Sequence, residues 1–344
     1  MTTNIVDLKA IEAAARRIRG VVVETPLIKA HQVSAMVGTD VYLKCENLQV
    51  TGSFKARGAS NFVLSLVERL GAANSEASST FGADAQGLSG ASRRLGGIIT
   101  ASSGNHGQAV AYAAKRVGLP CTVAVPEDVI RVKEVAIESF GAQVVRVGRT
   151  SSDRIDYAER LAAQQNLVFV PPYDHEDIVA GQGTAGLEVV HSLPEVREVY
   201  VPVGGGGLIS GVSTAVKSLR PMARVIGVEP ELANDTYLSM QEGRIVDIGS
   251  NTTIADGLRT SHPGSFTFPI VQKNVDEIAL VSEAQITEAM RILFEAKLVV
   301  EPSGCTSVAA VLGASEAGHR FDGPVVCVLS GGNVAPEIFA SVLQ

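Results

Sequence analysis

Apolar side chains recur at Leu8, Ile11, Ala15 and Ile18, the spacing of a helix with one buried face, and Asp7 stands where an N-cap would sit. The pattern predicts an amphipathic helix over 7–19, closed by Gly20. The period then changes. Val41, Leu43 and Cys45 alternate with Tyr42, Lys44 and Glu46, which predicts a half-buried strand leading into Thr51-Gly-Ser-Phe-Lys-Ala-Arg-Gly58. Lys55 is thereby expected at a strand-to-helix turn. The same order returns at GGIITA, the turn SSGNHG, the helical QAVAYAAKRVG and the strand CTVAVP. Residues 128–140 read as a helix before the strand AQVVRV, and VREVYVPV passes through four glycines into ISGVSTAVKSLR and the strand RVIGVE. Alternating strands and helices predict a predominantly parallel α/β sheet, whose ligands bind at the carboxyl ends of the strands. The turns TGSFK, SSGNHG, GGGG and SGGN are all expected there, lining one crevice. Residues 73–94, rich in Ser, Ala and Gly and without a hydrophobic period, read as a flexible insertion.

Composition narrows the setting. A length of 344 residues suggests two domains, at roughly 100 to 200 residues each. A net charge of −7 argues against nucleic acid as a partner. No apolar run approaches the roughly 20 residues of a membrane span, and Asp7 and Lys9 interrupt any signal-like start, so a cytoplasmic protein without a membrane partner is expected. Cys45, Cys121, Cys305 and Cys327 form no C-x-x-C pair and read as small buried hydrophobes.

The chemistry starts at Gly204, Gly205, Gly206 and Gly207. Four residues without Cβ let backbone approach an anion closely, and the helix that follows offers free N–H groups and the positive end of its dipole. A dinucleotide fingerprint fails on register, since Ile209 or Ser210 stands where its last glycine is needed, and no G-x-x-x-x-G-K-[ST] loop occurs. A cofactor with one compact phosphate fits better. An amine near a phosphate-bearing aldehyde can bond to it covalently, which gives Lys55 a role with pyridoxal 5′-phosphate as electron sink. Phe54 beside it could pack on the ring.

Taken together, KCENLQVTGSFKARG, TASSGNHGQAVAYAAK, YDHEDIVAGQGT, VPVGGGGLISG and LSGGNV resemble the fold-type II pyridoxal-phosphate enzymes, nearest to the threonine/serine dehydratases and serine racemase. The motifs run in family order over nearly the whole chain outside the insertion. The resemblance implies a tryptophan synthase β-like α/β fold, with two open, mostly parallel twisted sheets and helices on both faces. It also implies a large cofactor-binding domain of 1–72 and 175–344 and a small domain of 95–174. By it, Lys55 matches the lysine that the family links to the cofactor, Gly204 to Gly207 its phosphate loop, Asn105 the partner of the ring hydroxyl, and Ser330 the residue facing the pyridine nitrogen. Ser103 aligns with the acid/base that serves serine racemase on the opposite face.

The turn Ser102, Ser103, Gly104, Asn105, His106, at a helix N-terminus, is placed to bind a substrate carboxylate through backbone N–H groups, though Ser and Asn are also ordinary capping residues. A hydroxyl such as that of Ser330 cannot hold a pyridinium proton as a carboxylate would. The weaker sink favours β-elimination over transamination. The expected activity is a catabolic ammonia-lyase acting on L-threonine or L-serine. Larger 3-hydroxy amino acids (threo-3-hydroxyaspartate, phenylserine), serine racemisation, and a non-catalytic cofactor- or nucleotide-binding module are the alternatives. The run from Glu229 to Asp235 carries hard oxygen ligands. It resembles the site at which serine racemase and related dehydratases hold Mg2+, Ca2+ or Mn2+, with Glu229, the Ala233 carbonyl and Asp235 at the matching positions. PPYDHED looks more like the threonine dehydratases, with Tyr173 where the racemase has a smaller polar residue. Only PEIFASVLQ follows SGGNV, so no amino-acid-sensing domain is expected at that end. By analogy with the family, the chain is expected to be a homodimer.

Overall fold

The computed structural model describes residues 6–78, 95–129 and 131–343. Two units emerge. The larger comprises the residues up to Ala15, Val23–Phe54 and those from Tyr173 onward, and the smaller comprises Arg16–Val22 and Lys55–Pro172. Of the expected insertion, residues 73–78 continue the helix Lys55–Ser78 of the smaller unit, and 79–94 lie outside the described residues.

The larger unit carries a six-stranded sheet built from β1 (Leu27–Lys29), β2 (Val41–Lys44), β7 (Glu198–Pro202), β8 (Arg224–Pro230), β9 (Glu277–Val281) and β10 (Val325–Val328). Its order is β1-β2-β10-β7-β8-β9, with only β1 antiparallel to its neighbour. All four residues of β10 are fully buried, because successive side chains enter different cores. Val325 and Cys327 pack with Ile286, Met290 and Val308, from the helices Glu283–Glu295 and Pro302–Glu316. Val326 and Val328 pack with Val189, Ile209 and Val212, from the helices Glu176–Ser192 and Gly207–Leu219. Those last two helices touch at backbone distance: a Cβ on Gly211 would lie 2.4 Å from the Gly183 nitrogen and from the Val179 oxygen.

Burial on both faces corrects the half-buried reading of β2. Lys44 is 1% exposed, and its ammonium pairs with Glu188 and donates to the Thr25 carbonyl at 2.6 Å. A helix covers the face where alternation had placed solvent, so the lysine there needs a partner.

The smaller unit holds β3 (Gly97–Ala101), β4 (Cys121–Val125), β5 (Gln143–Arg146) and β6 (Leu167–Phe169) in the order β5-β4-β3-β6, every pairing parallel. Ile98, Ile99, Val123 and Val125 form its centre, each fully buried. The N-terminal helix is shorter than its apolar spacing suggests, Leu8–Arg17, and Asp7 does cap it, accepting from the Ala10 N–H at 2.9 Å. The helix expected over 128–140 occupies Arg131–Glu138. No helix among the described residues is long and apolar enough to cross a membrane.

Candidate active site

In the larger unit three small-residue turns leave the same edge of the sheet, because β2, β10 and β7 are parallel neighbours. The turn after β2 carries Thr51 to Phe54, the turn after β10 carries Ser330 to Asn333, and Gly204 to Gly207 follow β7. The first two are stitched together. Ser53 and Gly331 form an antiparallel bridge. The Phe54 N–H donates to the Ser330 carbonyl at 3.0 Å, the Gly332 N–H to Gly52 at 2.8 Å, and the Asn333 amide to Thr51 at 2.8 Å. The backbone one residue before Lys55 is thus fixed to that of Ser330, which is 3% exposed. Phe54 is half-buried against the core that includes Val199 and Val326.

The glycine run ends in the helix Gly207–Leu219. Gly206 adopts the left-handed conformation at φ 89°, and no side chain caps the helix. Gly205, Gly206 and Gly207 are all buried, so the first N–H groups of the helix lack both a protein cap and bulk water. An anionic ligand group fits that need. A Cβ on Gly205 would stand 2.4 Å from Cζ of Tyr173, so the ring lies directly on the loop. Burial and then the charges of Asp174 and Asp235 push the Tyr173 hydroxyl up. The donor set fits a phosphate, and the Tyr173 ring beside it offers a flat apolar face.

In the smaller unit the helix Lys55–Ser78 begins at the lysine, which is half-buried and donates to the Pro172 carbonyl at 2.8 Å. The turn Ser102 to Gly104 joins β3 to the helix Asn105–Val117, again without a side-chain cap. Ser102 binds the Ala124 carbonyl through its N–H at 3.0 Å, and its Oγ accepts from the Gly104 N–H at 3.3 Å. Ser103 and Asn105 are half-buried. His106 is buried, and its neutral ring donates from Nε2 to the Val170 carbonyl at 3.1 Å, an oxygen that Thr100 Oγ1 also meets at 2.8 Å. Burial, and secondly the nearby Lys55 ammonium, lower the imidazole to about 3. His106 is thus a neutral clamp on the segment that carries the Pro172 carbonyl.

Glu229, at the end of β8, and Asp235, at the start of the helix Asp235–Glu242, are both fully buried. Glu229 accepts the Thr236 and Tyr237 N–H groups at 3.0 and 2.8 Å, and Asp235 meets the Thr260 hydroxyl at 3.3 Å. Burial raises both carboxyls, and the charge of Asp235 raises Glu229 further. A divalent cation would relieve that cost. Among the described residues no cluster of three or more His, Cys, Asp or Glu side chains suits a metal, so a cation here would need the Ala233 carbonyl or water as well.

Two residues with a hand in the glycine loop escaped the sequence reading, Asp174 and Thr267. Thr267 Oγ1 donates to the Gly205 carbonyl at 2.7 Å. They lie 93 positions apart, yet the Asp174 carboxylate accepts the Thr267 N–H at 3.1 Å. The only signal was PPYDHED, read for Tyr173 alone.

The profile of the pyridoxal-phosphate dependent enzyme family matches residues 18–331. An L-threonine ammonia-lyase of Geobacter sulfurreducens is 40% identical over 335 residues, covering 97% of this chain and 77% of that protein. An L-threo-3-hydroxyaspartate ammonia-lyase of a Pseudomonas species is 39% identical over 333 residues, covering 96% of each. The crystal structure of serine racemase from Dictyostelium discoideum superposes with a TM-score of 0.84 at 39% identity, over 96% of this chain and 99% of that one.

Proposed function

The chain belongs to the family of pyridoxal-phosphate dependent enzymes, and from that premise we propose that it is an ammonia-lyase. It eliminates water from an L-β-hydroxy amino acid, L-threonine or L-serine, and the enamine so formed tautomerises and is hydrolysed by water to a 2-oxo acid and ammonia. The observation that carries the reading is the buried, uncapped helix start behind Gly204 to Gly207. A cofactor bound there would supply an electron sink that acidifies the substrate Cα–H bond.

The protein's own groups supply the rest. The loop N–H groups would hold the cofactor phosphate and Lys55 would anchor its aldehyde; as a neutral amine, Lys55 Nζ is the group that would take the substrate Cα proton. Ser330 would offer the ring nitrogen a neutral hydroxyl, Asn105 would bind the ring oxygen, and Phe54 would pack near the ring. N–H groups of the Ser102 to His106 turn receive the substrate carboxylate, and Ser103 Oγ serves as acid or base on the opposite face. Glu229, the Ala233 carbonyl and Asp235 hold a divalent cation, magnesium in the first instance. The protein acts in the cytoplasm as a homodimer. Support for the dimer is the set of exposed apolar side chains Ile28, Leu48 and Val50, and light scattering of the purified protein tests it.

A second reading has its own support. The Pseudomonas hydroxyaspartate ammonia-lyase aligns over nearly all of both chains, so L-threo-3-hydroxyaspartate is the rival substrate. One experiment separates these outcomes. Protein loaded with pyridoxal phosphate is offered L-threonine, L-serine and L-threo-3-hydroxyaspartate, and the 2-oxo acid, ammonia and D-serine are measured. Fastest oxo-acid release from threonine or serine is expected. Fastest release from hydroxyaspartate makes the second reading the right one, and D-serine in excess of pyruvate makes the protein a racemase. A colourless protein that borohydride does not modify at Lys55 removes the premise.

A further inference from the structure

The glycine loop cannot hold its own shape. Four glycines in succession leave the peptide planes between them nearly free to rotate, yet an anion grip needs those N–H groups aimed one way. In this chain the aim comes from outside the loop. The Gly205 carbonyl accepts the Thr267 hydroxyl at 2.7 Å and the Gly264 N–H at 3.2 Å. A peptide group is planar and trans, so a carbonyl of residue 205 fixed toward Thr267 turns the N–H of Gly206 to the opposite side. Thr267 and the two residues that join it to Gly264 are held in turn by one carboxylate. Asp174 Oδ1 accepts the Phe266 and Thr267 N–H groups at 2.9 and 3.1 Å, and Oδ2 accepts the Ser265 N–H at 3.0 Å and the Ser265 hydroxyl at 2.9 Å. Four hydrogen bonds to one charged group tie the start of the helix Thr267–Asn274 to the residue beside Tyr173. The fit is tight, since a Cβ on Gly264 would stand 2.0 Å from Asp174 Oδ1.

We propose that Asp174 is a positioning residue for cofactor phosphate: acting through Ser265 to Thr267, it sets the orientation of the Gly205–Gly206 peptide and so the grip of the loop. The inference rests on the cofactor reading above and adds to it a residue that touches neither cofactor nor substrate. It makes a demand that a general stabilising role does not. Losing Asp174 or the Thr267 hydroxyl weakens the binding of a ligand that carries the phosphate and leaves a ligand without it untouched.

The test is titration of apoprotein with pyridoxal 5′-phosphate and, separately, with pyridoxal, followed by visible absorbance and equilibrium dialysis. The proteins are wild type, Asp174→Asn, Thr267→Val and Thr267→Ser. Asp174→Asn and Thr267→Val are expected to raise the Kd for pyridoxal phosphate about tenfold, which is about 1.4 kcal/mol, with the Kd for pyridoxal unchanged. Thr267→Ser keeps the hydroxyl and is expected to bind as wild type does. Equal weakening of both ligands, or no weakening of either, overturns the proposal. If Asp174→Asn does not fold, the contrast between valine and serine at 267 decides alone. Wild-type protein that binds pyridoxal phosphate no better than pyridoxal overturns the phosphate assignment itself, a result distinct from variants that match a tight-binding wild type.

Discussion

Ionisable side chains stand where the surroundings are dry, and two of them make measurable predictions. Lys44→Ala removes the partner of Glu188, whose side chain is 17% exposed, and is expected to cost about 3–5 kcal/mol in urea unfolding. Combining it with Glu188→Gln should recover part of that loss. His106 behaves differently, because burial holds it neutral. Its imidazole titrates at about 3 in the folded protein against about 6.5 when unfolded, so the unfolded chain binds the extra proton between those values. Its contribution to stability is whole above the unfolded value and is lost as pH falls toward the folded one, at up to about 1.4 kcal/mol per pH unit. His106→Gln, which keeps a donor for the Val170 carbonyl, should unfold with a flatter acid dependence, read from urea midpoints across that range. The sequence made His106 visible through its turn, since SSGNH follows an apolar run and opens a helix. Lys44 was misread, because alternation presumes one wet face and cannot report a helix from distant sequence lying over it.

Elements turn these local demands into geometry. The helices Glu176–Ser192 and Gly207–Leu219 touch through glycines, so the direction of the second, whose first residue closes the glycine loop, depends on the absence of side chains between them. Gly211→Ala drives a methyl into backbone nitrogen and oxygen and is expected to cost about 1–3 kcal/mol. Calorimetry should show the lower Tm, and cofactor titration a weaker Kd, because the helix start shifts with the axis. The strand, turn and helix units that set this up were legible as changes of hydrophobic period. Which turns meet was not. Asn333 and Thr51 join across 282 positions, and nothing in either motif names the other.

At the scale of the molecule, the rhythm of strands and helices told of parallel sheet, while its division in two came from resemblance alone, because periodicity carries no strand order. The acidic pair belongs to this scale, since it joins β8 to the helix after it. Both carboxyls are raised in the fold, so their contribution is present while they are protonated and is lost as pH rises through neutrality. Melting temperatures taken from slightly acid to slightly alkaline pH should fall in a chelator and hold in magnesium. Identical curves would remove the cation. The strand order has one more consequence, for synthesis on the ribosome. β10 emerges last of the ten yet lies between β2 and β7. Until β10 has emerged, β2 and β7 present open edges to any neighbouring nascent chain. The four strands of the other sheet, contiguous between 97 and 169, can pair long before. A ribosome stalled short of residue 325 therefore leaves a central gap in the larger sheet, a natural place for a chaperone to bind.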